Sequence, residues 1–160
     1  MKSLKIDNYL EAFPDSVFPA FESLGDAARV AVSTAIRKNF AIANNADDLA
    51  MVMSLDALGE PCSGVYAINP SFRLSRLLLD LNIPLPQFLY VNWYRYDDID
   101  RFRLIDLDEL FEHIWYPGAE DIAVFDDSLA WVISVSHDGG VKLCRALHPG
   151  TQNALRQQHH

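Results

Sequence analysis

Cysteine, glycine and long apolar runs are all scarce in this chain. Two cysteines, Cys62 and Cys144, stand far apart among 160 residues with no Cys-x-x-Cys spacing. That argues for two reduced thiols rather than a disulfide scaffold or a cysteine-built metal site. Seven glycines form neither the Gly-x-Gly-x-x-Gly fingerprint of dinucleotide sites nor a P-loop. No stretch approaches the roughly 20 apolar residues of a bilayer-spanning helix. The first residues, MKSLKIDNYLEAF, lack the continuous apolar core of a secretory leader. The expectation is a cytoplasmic protein with no membrane partner.

Basic residues are also missing where they would matter most. Residues 1–79 carry nine acids and seven bases, and residues 139–160 carry three bases and no acid. Residues 80–138 hold thirteen acids against only Arg95, Arg101 and Arg103, a local net charge of −10 within an overall −9. A field of that sign repels nucleic acid and anionic lipid and attracts a cationic partner. Nucleic-acid binding, which wants bases interleaved with aromatics, is disfavoured. The plain alternative is a solvated acidic face that keeps the protein soluble.

What is present is a core. Half of the residues are hydrophobic and 11% are aromatic, enough for one domain of this length. No repeat, low-complexity tract or linker divides the chain. Asn82-Ile-Pro-Leu-Pro86 reads as a sharp extended connection. One domain is expected over residues 1–150, followed by a flexible tail over 151–160, in which His159 and His160 carry no weight.

Periodicity supplies the elements. Val32, Ile36 and Phe40 recur at helical spacing in an alanine-rich stretch from Asp26 to about Ala43, with Asn44-Asn45 as its exit. Asp47 to Leu58 fits either period; the preferred reading is a buried strand from Ala50 to Leu55, turned back by Leu58-Gly-Glu-Pro61 into a strand over 64–68. Ser71 to Leu81 reads as a short helix capped by Asn69, Pro70 or Ser71. Gln87 to Tyr94 is aromatic and β-branched, and so a strand. Leu107, Leu110, Phe111 and Ile114 form one apolar helix face, with Asp106 as its cap and Glu109 as the capping-box partner.

After Trp115-Tyr-Pro-Gly118 the pattern becomes β. Ile122, Val124 and Phe125 make one short strand, and Asp126-Asp127-Ser128 a turn. Leu129, Trp131, Ile133 and Val135 then alternate with a smaller face, Ala130, Val132, Ser134 and Ser136, that grows polar toward its end. The hairpin that follows is expected to have a three-residue loop, Asp138-Gly139-Gly140, pairing Val135 with Leu143, Ser136 with Lys142 and His137 with Val141. The fold class is therefore α+β: a single compact domain with N-terminal helices and a mainly antiparallel sheet that ends in a C-terminal β-hairpin.

Candidate chemistry is thin. His137-Asp138 has the look of a base and its orienter, but neighbours on a hairpin point apart, and Asp before Gly-Gly is ordinary turn chemistry. His113 beside Glu112 reads as an exposed or interface histidine, and His148 precedes Pro149. No two histidines have helical metal-ligand spacing. Asp97, Asp98 and Asp100 lack the glycine and terminal glutamate of a calcium loop and read as solvated. Ser33, Ser75 and Ser134 sit in no nucleophile-elbow context. Trp93 and Trp131 read as core or rim anchors. Trp115 with Tyr116, beside acids, has the composition of an interface hot spot. No catalytic residue, cofactor or metal is expected.

The run from Ile105 to Leu143 resembles the C-terminal part of small bacterial immunity proteins that accompany polymorphic or contact-dependent growth inhibition toxins. The likeness lies in the Leu-Asp-Glu-Leu-Phe helix at 107–111, Trp115-Tyr-Pro, Glu120-Asp121, Phe125-Asp126, Ser128-Leu-Ala-Trp131 and the His137-Asp138-Gly139 turn. It covers about a quarter of the chain. It implies a non-enzymatic cytosolic α+β domain that binds one cognate toxin, and it brings no catalytic residues.

The leading expectation is thus a toxin-neutralising protein, a monomer or weak homodimer, whose acidic surface engages a basic toxin domain such as a nuclease. The contact candidates are Asp97, Asp98, Asp100, Glu112, Glu120, Asp121, Asp126 and Asp127, with Trp115 or Tyr116 as apolar anchor. An adaptor or homo-oligomeric structural module is the alternative. A small hydrolase using His113 or His137 with a neighbouring carboxylate is the third reading, and it requires histidine and acid to meet in a cleft.

Overall fold

The computed structural model describes residues 1–147; His148, Pro149 and the expected tail lie outside the described residues. In chain order the elements are α1 (Ser3–Ala12), β1 (Phe21–Ser23), α2 (Asp26–Asn39), α3 (Asp48–Leu58), β2 (Glu60–Tyr66), α4 (Leu74–Asp80), β3 (Phe88–Asn92), β4 (Ile99–Arg103), α5 (Leu104–Ile114), β5 (Ile122–Phe125), β6 (Trp131–Val135) and β7 (Gly140–Arg145). The seven strands form one sheet in the order β1-β4-β3-β5-β6-β7-β2, and every neighbouring pair is antiparallel. This is the expected α+β domain, with strands at the C-terminal end of the described chain.

Helices cover both faces of the sheet. On one, Leu77 and Leu78 of α4 and Leu107, Leu110 and Ile114 of α5 pack on Leu89, Val91, Val124, Ile133 and Leu143. On the other, Ile36 and Phe40 from the α2 side and Met51 and Leu55 of α3 pack on Ala123, Phe125, Val132 and Cys144. Strands sandwiched this way explain why β5 is buried at all four positions rather than alternating in polarity.

Several sequence expectations need correction. The segment 47–58 is a helix, not a strand: the Asp47 side chain accepts the Ala50 N–H at 2.8 Å. Because the run is apolar on nearly every side, periodicity could not decide, and the cap did. The α2 helix stops at Asn39 rather than near 43. Ala41 adopts φ 53°, and the Ile42 N–H reaches back to the Arg37 carbonyl at 2.9 Å. That is a left-handed C-terminal closure made with alanine where glycine is the usual signal. Asp106 does not cap α5, which begins two residues earlier; its carboxylate instead takes the Arg103 guanidinium at 2.7 and 2.9 Å. The carboxylate of Asp108 accepts the Ser75 N–H at the start of α4, at 3.1 Å. Asn69 holds a turn through Ser71 rather than a cap, and α4 starts only at Leu74. The strand expected over 64–68 starts earlier, at Glu60, and its pairing with β7 is interrupted between Pro61 and Tyr66.

The hairpin loop does have three residues, but they are His137-Asp138-Gly139. Val135 pairs with Val141, Ser134 with Lys142 and Ile133 with Leu143. A slip of two residues keeps every side chain on its expected face, so alternation alone could not fix the register. Gly139 fixes it. Its φ is 91°, its carbonyl accepts the Ala67 N–H at 2.8 Å, and a Cβ there would stand 3.2 Å from Ile68.

Candidate functional site

Antiparallel pairing gathers three connections at one end of the sheet: 93–98 after β3, 115–121 before β5, and 136–139 after β6. Four of the predicted contact acids meet there. Asp97, Asp98, Glu120 and Asp121 line a groove of about 410 Å³ with Lys2, Lys5 and Tyr94. Asp126 and Asp127 lie at the opposite end, in the β5–β6 turn. Asp126 accepts the Ser128 N–H at 3.0 Å, and Asp127 accepts the Tyr90 hydroxyl at 2.5 Å. Glu112 sits on α5 beside His113, and neither lines the groove. The ten candidates therefore do not form one surface.

Two of them are not surface residues at all. Asp100 is fully buried in β4, where it accepts the Trp93 indole N–H at 2.7 Å and the Ser23 hydroxyl at 2.5 Å and also meets the Met1 ammonium. Trp115 is 2% exposed, and its indole donates to the Glu120 carbonyl at 3.1 Å. The expected solvated aspartate and exposed tryptophan are both parts of the core. The half-buried Tyr116 remains at the rim, its hydroxyl receiving the Asn8 amide at 2.9 Å.

The neighbours Glu120 and Asp121 do different work. Glu120 Oε2 takes the buried Lys5 ammonium at 2.7 Å and the Tyr116 N–H at 3.0 Å. Lys5 also donates to the Ile114 carbonyl and lies 3.9 Å from the Tyr116 ring centre and 4.7 Å from that of Trp93. Desolvation lowers the Lys5 pKa, opposed chiefly by its bond to Glu120. Asp121 is exposed, and its Oδ1 receives the His137 N–H at 2.7 Å and meets His137 Nδ1 at 2.9 Å. That bond and its charge raise the His137 pKa above the usual 6.5. With the Gly118 N–H on the His137 carbonyl at 2.6 Å, the hairpin tip is clasped to the loop before β5. Asp138, as its turn chemistry suggests, bonds Ser136 Oγ at 2.5 Å and the Gly140 N–H at 3.0 Å.

Beside the groove, and sharing Tyr94 and Asp121 with it, opens a second concavity of about 550 Å³ between α3 and the sheet. Its origin is local. The cross-strand row Asn92, Ala123, Ser134 has short side chains that leave space beneath α3. The helix adds apolar side chains it has not buried: Met53 is 64% and Leu49 40% exposed, and Tyr94 on the opposite wall is 54% exposed. The wall is firm where the chain is strained. Tyr96, buried at φ 61°, has its N–H held by the buried Asn92 side chain at 2.8 Å, and Asn92 also donates to the Tyr94 carbonyl at 2.8 Å. Sequence reading missed this cleft, although its signal was the smaller face of β6 ending in Ser134 and Ser136.

Both thiols are free, and burial pushes Cys62 up and Cys144 up to about 11, away from the nucleophilic thiolate. Among the described residues no three His, Cys, Asp or Glu side chains converge as a metal-holding group, and no helix is long and apolar enough to cross a membrane. Comparison with known protein families, curated proteins and solved structures found no match for this chain.

Proposed function

We propose that this chain is an immunity-type protein that binds a cognate bacterial toxin domain of basic surface, such as a nuclease with a cationic substrate cleft, and neutralises it in the cytoplasm by occupying that surface. The observation that carries the reading is the meeting of Asp97, Asp98, Glu120 and Asp121 at one firmly held end of the sheet. The resemblance of residues 105–143 supports the same class. Charge concentrated on a rigid rim steers association and sets specificity; of the four, Glu120 is paired with Lys5, Asp98 with the Met1 ammonium and Asp121 with the exposed His137. The test is co-expression with the toxin domain encoded beside this gene. Growth should be rescued, and the triple change Asp97→Asn, Asp98→Asn, Asp121→Asn should slow association at least tenfold at low salt. Undiminished killing by the toxin in the presence of the wild-type chain would overturn the proposal.

A second reading has one specific observation behind it. His137 meets a carboxylate, Asp121 rather than Asp138, at the mouth of the cleft, as a small hydrolase would require. It ranks lower because both side chains are 59% exposed on the open rim rather than enclosed in a water-excluded site. Turnover of ester or phosphoester substrates that disappears in His137→Ala would reverse the ranking.

A further inference from the structure

We infer that Lys5 fills, from within its own chain, a receptor site for a lysine ammonium, and that α1 is the strap that lifts when a lysine of a protein partner takes its place. The choice of a protein partner rests on the neutralisation reading above; the ammonium chemistry comes from the site. Every group that holds Lys5 lies outside α1. Its Nζ donates to Glu120 Oε2 at 2.7 Å and to the Ile114 carbonyl, at the electronegative C-terminal end of α5. It also stands against the rings of Tyr116 and Trp93. A carboxylate, a helix-end carbonyl and two aromatic faces recognise a primary ammonium whichever chain supplies it.

The helix that carries Lys5 is lightly fastened. Lys5 is its single buried residue, while Leu4 and Leu10 are exposed. Other support comes from the partly buried Met1 and Tyr9, the Asn8 bond to Tyr116, and the edges of Tyr9 and Phe13 on His113. Ten residues without a side-chain cap are too few to hold a helix undocked. Residues 13–20, which join α1 to β1, contain no helix or strand and reach about 26 Å when extended. Apolar replacement of a buried ion pair is commonly neutral or stabilising, so packing alone gives no reason for a lysine at this position.

The charge balance follows the strap. The acids at this end are Asp97, Asp98, Glu120 and Asp121 in the groove and the buried Asp100 behind it. Residues 1–5 bring three cations against them: the Met1 ammonium on Asp98 and Asp100, Lys2 in the groove, and Lys5 on Glu120. The other cations are Arg95, over the Tyr94 ring, and His137, on Asp121. With α1 docked the two signs nearly cancel. With α1 lifted, five carboxylates face Arg95 and His137 alone, and the exposed Asp7 and Glu11 leave with the helix. Lysine is the side chain that restores the contacts Lys5 gives up.

The probe is capped hexalysine at low salt, titrated into the full chain and followed by NMR at the Trp93 indole and by hydrogen exchange at the Tyr9 and Leu110 amides. In the wild type the Tyr9 amide of α1 should exchange at least tenfold faster than the Leu110 amide of α5. Hexalysine should speed Tyr9 at least a further threefold, leave Leu110 unchanged and shift the Trp93 indole. Lys5→Ala empties the seat and should bind hexalysine at least tenfold more tightly than the wild type. The pair Lys5→Ala, Glu120→Gln removes the receptor's charge and should lose that gain. Equal exchange at Tyr9 and Leu110, an unmoved Trp93 indole, or equal affinity in all three chains would overturn the strap. If Lys5→Ala does not fold, the wild-type exchange decides alone, since hexalysine must speed Tyr9 and not Leu110. Rescue from the toxin is read separately: rescue with unmoved Tyr9 exchange removes the strap alone, and lysine exchange at the seat without rescue removes the neutralisation reading alone.

Discussion

Two adjacent cross-strand rows, one residue apart, meet opposite fates. Val91, Val124, Ile133 and Leu143 form one row, facing α4 and α5, and all are 9% exposed or less. Asn92, Ala123, Ser134 and Lys142 form the next, facing α3, and beneath it the packing opens into the cleft. The backbone pairing is the same for both; only side-chain volume differs. A sheet can thus be finished on one face and left receptive on the other without any change of topology. The difference separates a row packed shut from a row of short or polar side chains that borders open space.

The sharpest way to break that comparison is to truncate neighbours across it. Ile133→Ala removes buried methyl groups from a filled layer and should cost about 3 kcal/mol by urea denaturation. Ser134→Ala, one residue on, should stay within about 0.5 kcal/mol. Equal losses would mean that both faces are packed alike and that the cleft closes in solution.

The same contrast recurs between Glu120 and Asp121. Glu120→Ala strands the Lys5 ammonium, whose side chain is 3% exposed, without a carboxylate, and should cost about 3 kcal/mol. Asp121→Ala, on the open rim, should cost well under 1 kcal/mol in stability while it weakens partner binding. Matching urea midpoints for the two variants would remove the distinction between a structural and a binding acid.

Filling the hollow is a subtler test. Ser134→Val adds apolar volume where the row is short and should stabilise the chain by about 0.5 to 1 kcal/mol. A destabilised Ser134→Val would show that the space beneath α3 is already committed.

How far the sequence foretold this division depends on where each signal resides. The faces of α2 and α5, the strand after Gln87 and the alternation along β6 were legible because each repeats over several residues on the element itself. The three-residue β1 offers too few repeats to read. Asp97, Asp98 and Asp100 read as solvated because Asp100, in β4, is tolerable inside only through Trp93, Ser23 and the Met1 ammonium, partners set by tertiary structure. The net acidity correctly marked a stretch of chain but not a surface: β5 carries Asp121 and Asp126 to opposite ends of the sheet. Lys5 shows the reverse error, an ordinary N-terminal lysine in sequence and a buried ion-pair partner in space.

The smallest expected effect concerns the clasp over the cleft. Asp121 raises the His137 pKa in the folded chain, through a hydrogen bond first and charge second. A raised value for a base means that folding favours the protonated ring. The stabilisation is fully present below the unfolded value near 6.5 and is lost as pH rises through the higher folded value. NMR titration of the imidazole should give a midpoint above 6.5 that falls in Asp121→Asn. The difference in urea midpoint between wild type and that variant should narrow as pH passes the folded midpoint. It should not vanish, because the His137 N–H, at 2.7 Å from Asp121, contributes at every pH. A midpoint unmoved by Asp121→Asn would mean that the clasp is held by the backbone alone, and the rim of the cleft would then keep its shape whatever the charge on His137.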